Sequence, residues 1–275
     1  MTRGDPLIGL PSEGPLLDFY RGTFDAVYIA LHPFFRIPGL DPLRCEYGST
    51  VVLRSEMPEG VDLLAYVEQL RTEKALSHQV AASEVEERAK REGLIVPWRE
   101  IGVRCGLGEA REINRALRTI ILGLRSEFAD EAGADRLAYY CGREQIFRPT
   151  ESEFQPVSER RLVELFARAG CARIVLGDEF GDHDISQPLD FLKGDAAWSE
   201  RPDWPQIGGV RRIYAEDRSM LAIEPWDQFF TIIAMSTERV GQTAVEELFE
   251  GFWCDENTSV AWLLDPPRPM LGPAQ

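Results

Sequence analysis

The densest chemical signal in the chain is residues 177–184, GDEFGDHD, which place four carboxylates and one imidazole within seven positions: Asp178, Glu179, Asp182, His183 and Asp184. Oxygen-rich sets of this kind suit Mg²⁺, Mn²⁺ or Ca²⁺, with His183 as a further ligand or a proton shuttle. Asp178, Asp182, His183 and Asp184 are therefore the candidate metal site, a divalent metal is the one candidate cofactor, and metal-assisted hydrolysis is the reaction it would serve. The spacing is not that of an EF-hand, since the alternation DxDxDG and its distal Glu are absent, and no HExxH occurs. A solvated acidic turn is the competing reading of the same residues.

Other reactive side chains stand alone. His32 precedes Pro33 at the end of the apolar run AVYIAL, where an imidazole serves either as a base or as a structural hydrogen-bonder. Cys254 lies between Trp253 and Asp255, and the adjacent Asp255 and Glu256 oppose a thiolate there. The five cysteines, Cys45, Cys105, Cys141, Cys171 and Cys254, are odd in number, widely spaced and without a CxxC pair. They read as reduced and structural. Neither GxGxxG, GxxxxGK[ST] nor GxSxG is present.

Charge is uneven along the chain. The formal net charge is −16; residues 1–150 hold 19 basic and 23 acidic side chains, and residues 151–275 hold 11 and 23. This balance opposes wrapping a phosphate backbone and favours basic protein partners or cations, with plain solubility as the competing reading. Residues 97–119 have the outline of a helix-turn-helix, and Arg111, Arg115, Arg118 and Arg125 are expected on the outer face of its second helix. Glu109 and Glu112 sit at its recognition end, where DNA would repel them, so nucleic acid is disfavoured. No apolar run is long enough for a membrane span, and the Pro- and Gly-broken start lacks the apolar core of a signal peptide. A cytoplasmic protein is expected.

The elements that must position these groups are punctuated clearly. Residues 228–234 (QFFTIIA) are uncharged, aromatic and β-branched, which predicts a central strand buried on both faces. Thr243 and Glu246 have capping-box spacing ahead of Val245, Leu248 and Phe249, Gly251 stops that helix, and residues 258–264 (TSVAWLL) resume strand chemistry. A strand–crossover helix–strand unit follows as the expectation, with parallel pairing inferred. Residues 26–31, 172–176, 210–214 and 220–224 read as further strands, the last two as a hairpin. Leu63, Leu64, Val67 and Leu70 mark one helix face. Ile113, Leu117, Ile120, Ile121, Leu124 and Phe128 predict a helix of about four turns or more, and Ser158 can cap a helix carrying Leu162, Leu165 and Phe166.

His32, Pro33 and Phe34 after an apolar strand, Glu151, Ser152, Glu153 and Phe154 before a helix, and EGFWCDENTSVAW near the end together resemble a family of uncharacterised bacterial proteins, a domain of unknown function, over residues 26–264. The resemblance implies a soluble bacterial chain and brings no activity or catalytic residues with it. The expected architecture is α+β: a mixed β-sheet from the first strand and the C-terminal half, covered by a helical segment from the middle of the chain. Residues 1–275 are read as a single domain with two lobes, 26–150 mainly helical and 151–265 sheet-rich and acidic. Two function classes remain: a non-enzymatic acidic protein that docks a basic partner, as an immunity protein does, and the metal-dependent hydrolase of the 178–184 loop.

Overall fold

The computed structural model describes Leu7 and residues 14–48, 56–77 and 79–260. Expectations for residues 1–6, 8–13, 49–55 and 261–275 lie outside the described residues. The strands are β1 (Ala26–Leu31), β2 (Phe34–Arg36), β3 (Leu94–Val96), β4 (Arg173–Gly177), β5 (Asp184–Pro188), β6 (Arg212–Ala215), β7 (Met220–Ile223), β8 (Phe230–Met235) and β9 (Gly251–Trp253). The helices are α1 (Leu16–Tyr20), α2 (Leu63–Ser77), α3 (Ala82–Glu92), α4 (Trp98–Cys105), α5 (Ala110–Ile120), α6 (Glu131–Arg143), α7 (Glu159–Arg168), α8 (Thr237–Thr243) and α9 (Val245–Leu248).

Seven strands make one sheet in the order β5-β4-β6-β7-β8-β1-β9, and β2 pairs with β3 in a separate ribbon. The period of two along each strand divides its side chains between two cores. Val27, Ile29, Phe230, Ile232, Leu221 and Ile223 face Trp98, Ile101, Ile113, Leu117 and Leu137 from α4, α5 and α6. Tyr28, Ala30, Ile233, Met235, Met220 and Ala222 face Leu162, Leu165 and Phe166 of α7 and Leu248 of α9. Both faces are dry, which is why β8 carries no charge. A third cluster, including Phe35, Val85, Ala89 and Phe147, packs α3 against the ribbon. Among the described residues no helix is long and apolar enough to cross a membrane.

The α+β class holds, with the sheet built from β1 and the C-terminal half, but every strand pairing is antiparallel rather than mixed. The expected crossover after β8 is replaced by a tighter return. Thr243 ends α8 with its hydroxyl 3.5 Å from the Val240 carbonyl instead of opening a capping box. Ala244 then takes φ +46, α9 is a single turn, and Glu246 accepts the Trp253 indole N–H. The returning strand is β9, and residues 258–260 are outside any strand. β2, β3 and the edge strand β5 have no counterpart among the sequence-based expectations.

Two helices also differ. α5 stops at Ile120 because Leu122 adopts φ +60, so Leu124 and Phe128 lie beyond it. Arg118 turns inward at 8% exposure, beside a buried Asn114. On α2 Tyr66 is covered, whereas Leu64 is 78% exposed. α4, the left-handed Gly106 (φ +64) and α5 do form the expected helix–turn–helix outline. Ser158 stands at the N-terminus of α7 without a side-chain capping bond.

Gly251 is glycine for a steric reason. A Cβ there would lie 1.9 Å from the Ile29 carbonyl oxygen, across the β1–β9 pairing. Gly251→Ala should destabilise the chain by about 1–3 kcal/mol, read as a lower thermal midpoint. Gly241→Ala in α8, where nothing lies within 4 Å of the added carbon, should leave the midpoint unchanged or raise it.

Candidate functional site

Residues 177–184 run from the end of β4 through a turn to the start of the edge strand β5. Asp178 Oδ1 accepts the backbone N–H of Gly181 (2.7 Å) and Asp182 (3.1 Å), and Oδ2 meets His183 Nδ1 at 2.7 Å. Burial raises the Asp178 pKa, but the hydrogen bonds from His183 and the two N–H groups outweigh it and hold the carboxyl below its ordinary range. Asp184 bonds Arg212 Nη2 and the Tyr214 hydroxyl, each at 2.8 Å. Glu179 accepts the Trp226 indole N–H, and Asp182 is exposed. The structure thus brings Asp178 and His183 together and turns Asp184 toward β6. Among the described residues no three His, Cys, Asp or Glu side chains are grouped to hold a metal.

All five cysteines are free thiols. Burial, then Asp255, pushes Cys254 up to about 12, far from a nucleophile.

His32 is a structural hub. Its Nδ1 lies 3.0 Å from the Thr150 carbonyl, which only accepts, so that nitrogen carries hydrogen. Its Nε2 lies 2.9 Å from Glu224 Oε2 and 3.3 Å from Thr231 Oγ1, and Thr231 donates to Glu224 Oε1 at 2.5 Å. Imidazole and carboxylate are both buried and fully partnered. The ring ties β1, β7 and β8 to the segment that begins at Thr150.

That segment presents carboxylates. Ser152 holds φ +63 while buried; its N–H donates to the Gln228 carbonyl (3.1 Å) and its Oγ accepts the Asp227 N–H (2.7 Å). Gln155 accepts the Thr150 N–H at 3.1 Å and donates to the Glu153 carbonyl at 3.0 Å. A non-glycine residue held at positive φ by such bonds is a feature of functional loops. The turn places Glu153 in a cleft of about 510 Å³ with Glu86, Glu159, Phe154, Trp198 and Trp204. A contiguous cleft of about 370 Å³, lined by Glu46, Tyr47, Glu86, Glu151 and Glu153, shares two of these carboxylates.

Desolvation dominates here. Burial raises Glu153, opposed by a hydrogen bond from Thr150 and by His32 and Arg211 and reinforced by Glu224. Burial raises Glu86 against a hydrogen bond donated by Ser199, and Glu153 and Glu200 add to the rise. Glu159 is pushed up to about 7 by burial, although Lys90 Nζ pairs with it at 2.8 Å and the Trp198 N–H donates to it at 2.9 Å. The Tyr47 phenol is held well above its usual value, by burial first and then by Glu153, Glu86 and Glu159. Two cations border the cleft: Lys90 pairs with Glu159, donates to the Ala196 carbonyl and lies over Trp198, and Arg211 lines the cleft, donates to the Ser152 carbonyl and stacks on Trp226 at 3.9 Å. Trp198 and Trp204 stack with centroids 5.3 Å apart, and Phe154 meets Trp198 edge-on.

Sequence reasoning missed this cleft. In the sequence Glu86 is one charge among many in residues 83–92, SEVEERAKRE, and Glu159 one more at a helix start. The available signal was PTESEFQP, where two glutamates alternate with a buried Ser and Phe between prolines.

Two pH dependences follow. Glu159 keeps its proton to about pH 7 in the folded chain and to about pH 4.3 in the unfolded one, so its contribution to stability declines as pH rises across that window. Lys90→Met removes the counter-charge and should make the decline from pH 5 to pH 8 steeper, with a loss of about 3–5 kcal/mol at the alkaline end, measured by urea unfolding. Asp178 behaves oppositely: its depressed folded pKa stabilises above the unfolded value of about 3.9. Asp178→Asn should be less stable than the parent at neutral pH, and the urea midpoints of the two should converge as pH falls through the folded pKa.

The three segments that carry the family resemblance meet at the end of β1. His32 bonds Thr150, the residue before Glu151; Leu31 N–H donates to the Glu250 carbonyl at 2.9 Å; and the Glu250 carboxylate accepts the Trp98 N–H at 2.7 Å while the Trp98 indole donates to the His32 carbonyl at 2.7 Å. No curated protein and no solved structure matches the chain. Residues 12–264 match the family model described as "Protein of unknown function (DUF2711)", and the chain belongs to that family.

Proposed function

We propose that this is a binding protein for a basic partner and that the paired acidic clefts receive a cationic side chain of that partner. The observation that carries the reading is the sharing of Glu86 and Glu153 by two contiguous clefts that also take in Glu46, Glu151 and Glu159, with Arg211 as the one cation among the described lining residues. Each of those two carboxyls has a pKa raised chiefly by burial, so an incoming guanidinium or ammonium would stabilise the charged form and recover part of the desolvation cost. Aromatic side chains of Phe154, Trp198 and Trp204 line the same space and suit the aliphatic stem and the cation of Lys or Arg. The net charge of −16 adds long-range attraction for a basic surface.

The alternative, a metal-dependent hydrolase on the 178–184 loop, has less support, because Asp184 is engaged by Arg212 and Tyr214 and Asp178 by its own turn.

The test is titration with tetra-arginine and tetra-lysine peptides at low ionic strength, followed by tryptophan fluorescence and calorimetry. Binding should weaken roughly tenfold or more in the Glu86→Gln, Glu153→Gln double variant. An equal charge change at the exposed Asp190 and Glu238 (D190N, E238Q) should have little effect. Equal weakening by both pairs, or no binding by the parent, would overturn the proposal.

A further inference from the structure

A different cavity, of about 380 Å³, lies among α2, α5, α6 and the segment after α6. Leu117 and Ile120 of α5, Ala138 and Cys141 of α6, Phe147 and Phe229 give it an apolar wall, and Arg148 lies in that wall. Arg148 makes no hydrogen bond or ion pair among the described residues, and its Nη1 is sealed from solvent without a partner. A guanidinium so placed calls for a counter-charge. The Cys141 thiol beside it does not supply one, because burial pushes it up to about 12 and keeps it neutral. Glu73, on the α2 wall, is exposed and accepts the Gln69 amide at 2.8 Å. The volume is that of a small-molecule site, and a well-packed interior does not leave such a space by default.

We infer that this cavity binds a small amphiphilic carboxylate, with its head on the Arg148 guanidinium and its hydrocarbon tail between α5 and α6. One guanidinium matches a monoanionic carboxylate, which it can hold through two parallel N–H···O bonds. A phosphate dianion would need further donors, and Pro149, the next residue, has no N–H to give. The site stands apart from the cationic cleft: its ligand has the opposite charge, and it survives or fails independently of that reading.

The experiment titrates the full chain with octanoate and decanoate by calorimetry and thermal shift, beside acetate, octanol and octylamine. The acids should bind saturably and raise the thermal midpoint. Acetate, which lacks the tail, and octanol, which lacks the charge, should bind at least roughly tenfold more weakly. Arg148→Gln should lose the preference of octanoate over octanol, whereas Arg143→Gln on the surface should retain it. Should Arg148→Gln fail to fold, Ala138→Phe fills the cavity from α6 with Arg148 in place and should abolish binding of both acids. Octanol or octylamine binding as tightly as octanoate, absence of binding by the parent, or undiminished octanoate binding in Arg148→Gln or Ala138→Phe would overturn the assignment.

Discussion

The buried contact between His32 and Glu224 is the interaction on which the rest of the structure depends. It occurs where β1 ends and β7 and β8 lie alongside, and every polar atom in it has a partner. A half-satisfied pair in this position would cost more than an apolar one of the same shape. Because the second ring nitrogen reaches the Thr150 carbonyl, the pair also anchors the chain as it leaves the helical layer for α7. The strained Ser152 turn and its glutamates follow directly from that anchor.

The acidic cleft shows how one layer of the fold sets the electrostatics of another. α3 brings Glu86 and Lys90 on successive turns; Lys90 goes inward to Glu159 and Glu86 faces the open space. The segment 198–204 then closes the opposite wall with stacked indoles. Carboxylates crowded beside aromatic surface lose water without gaining full compensation, and their pKa values rise together.

Much of the sheet was legible because its strands are dry on both sides. β1, β4, β6, β7 and β8 each show an apolar run that no other element would tolerate, and the β6–β7 hairpin has its turn in plain view. The short strands escaped: β9 reads GFW and β2 reads FFR, three residues each, too few for a period to register. α5 was overextended because the apolar spacing continues past the left-handed Leu122, a backbone state that a leucine side chain does not announce. The 177–184 loop stands out by density of charge, whereas the cleft draws Glu46, Glu86, Glu151, Glu153 and Glu159 from three separate stretches spread over more than a hundred residues. Proximity of that kind is a property of topology, and sequence spacing does not encode it.

The position of β1 between β8 and β9 has a consequence for biosynthesis. Ala26 pairs with Met235 and Leu31 with Phe230, so the first strand made must wait for almost the last. At about 5–20 residues per second the ribosome takes roughly 10–40 s to cover that interval. During it, Val27, Ile29 and Leu31 have no sheet to join, and the cost of closing so long a loop falls on the final step of assembly. The nascent chain therefore carries the apolar side chains of β1 unpaired for most of its synthesis, until β8 and β9 emerge.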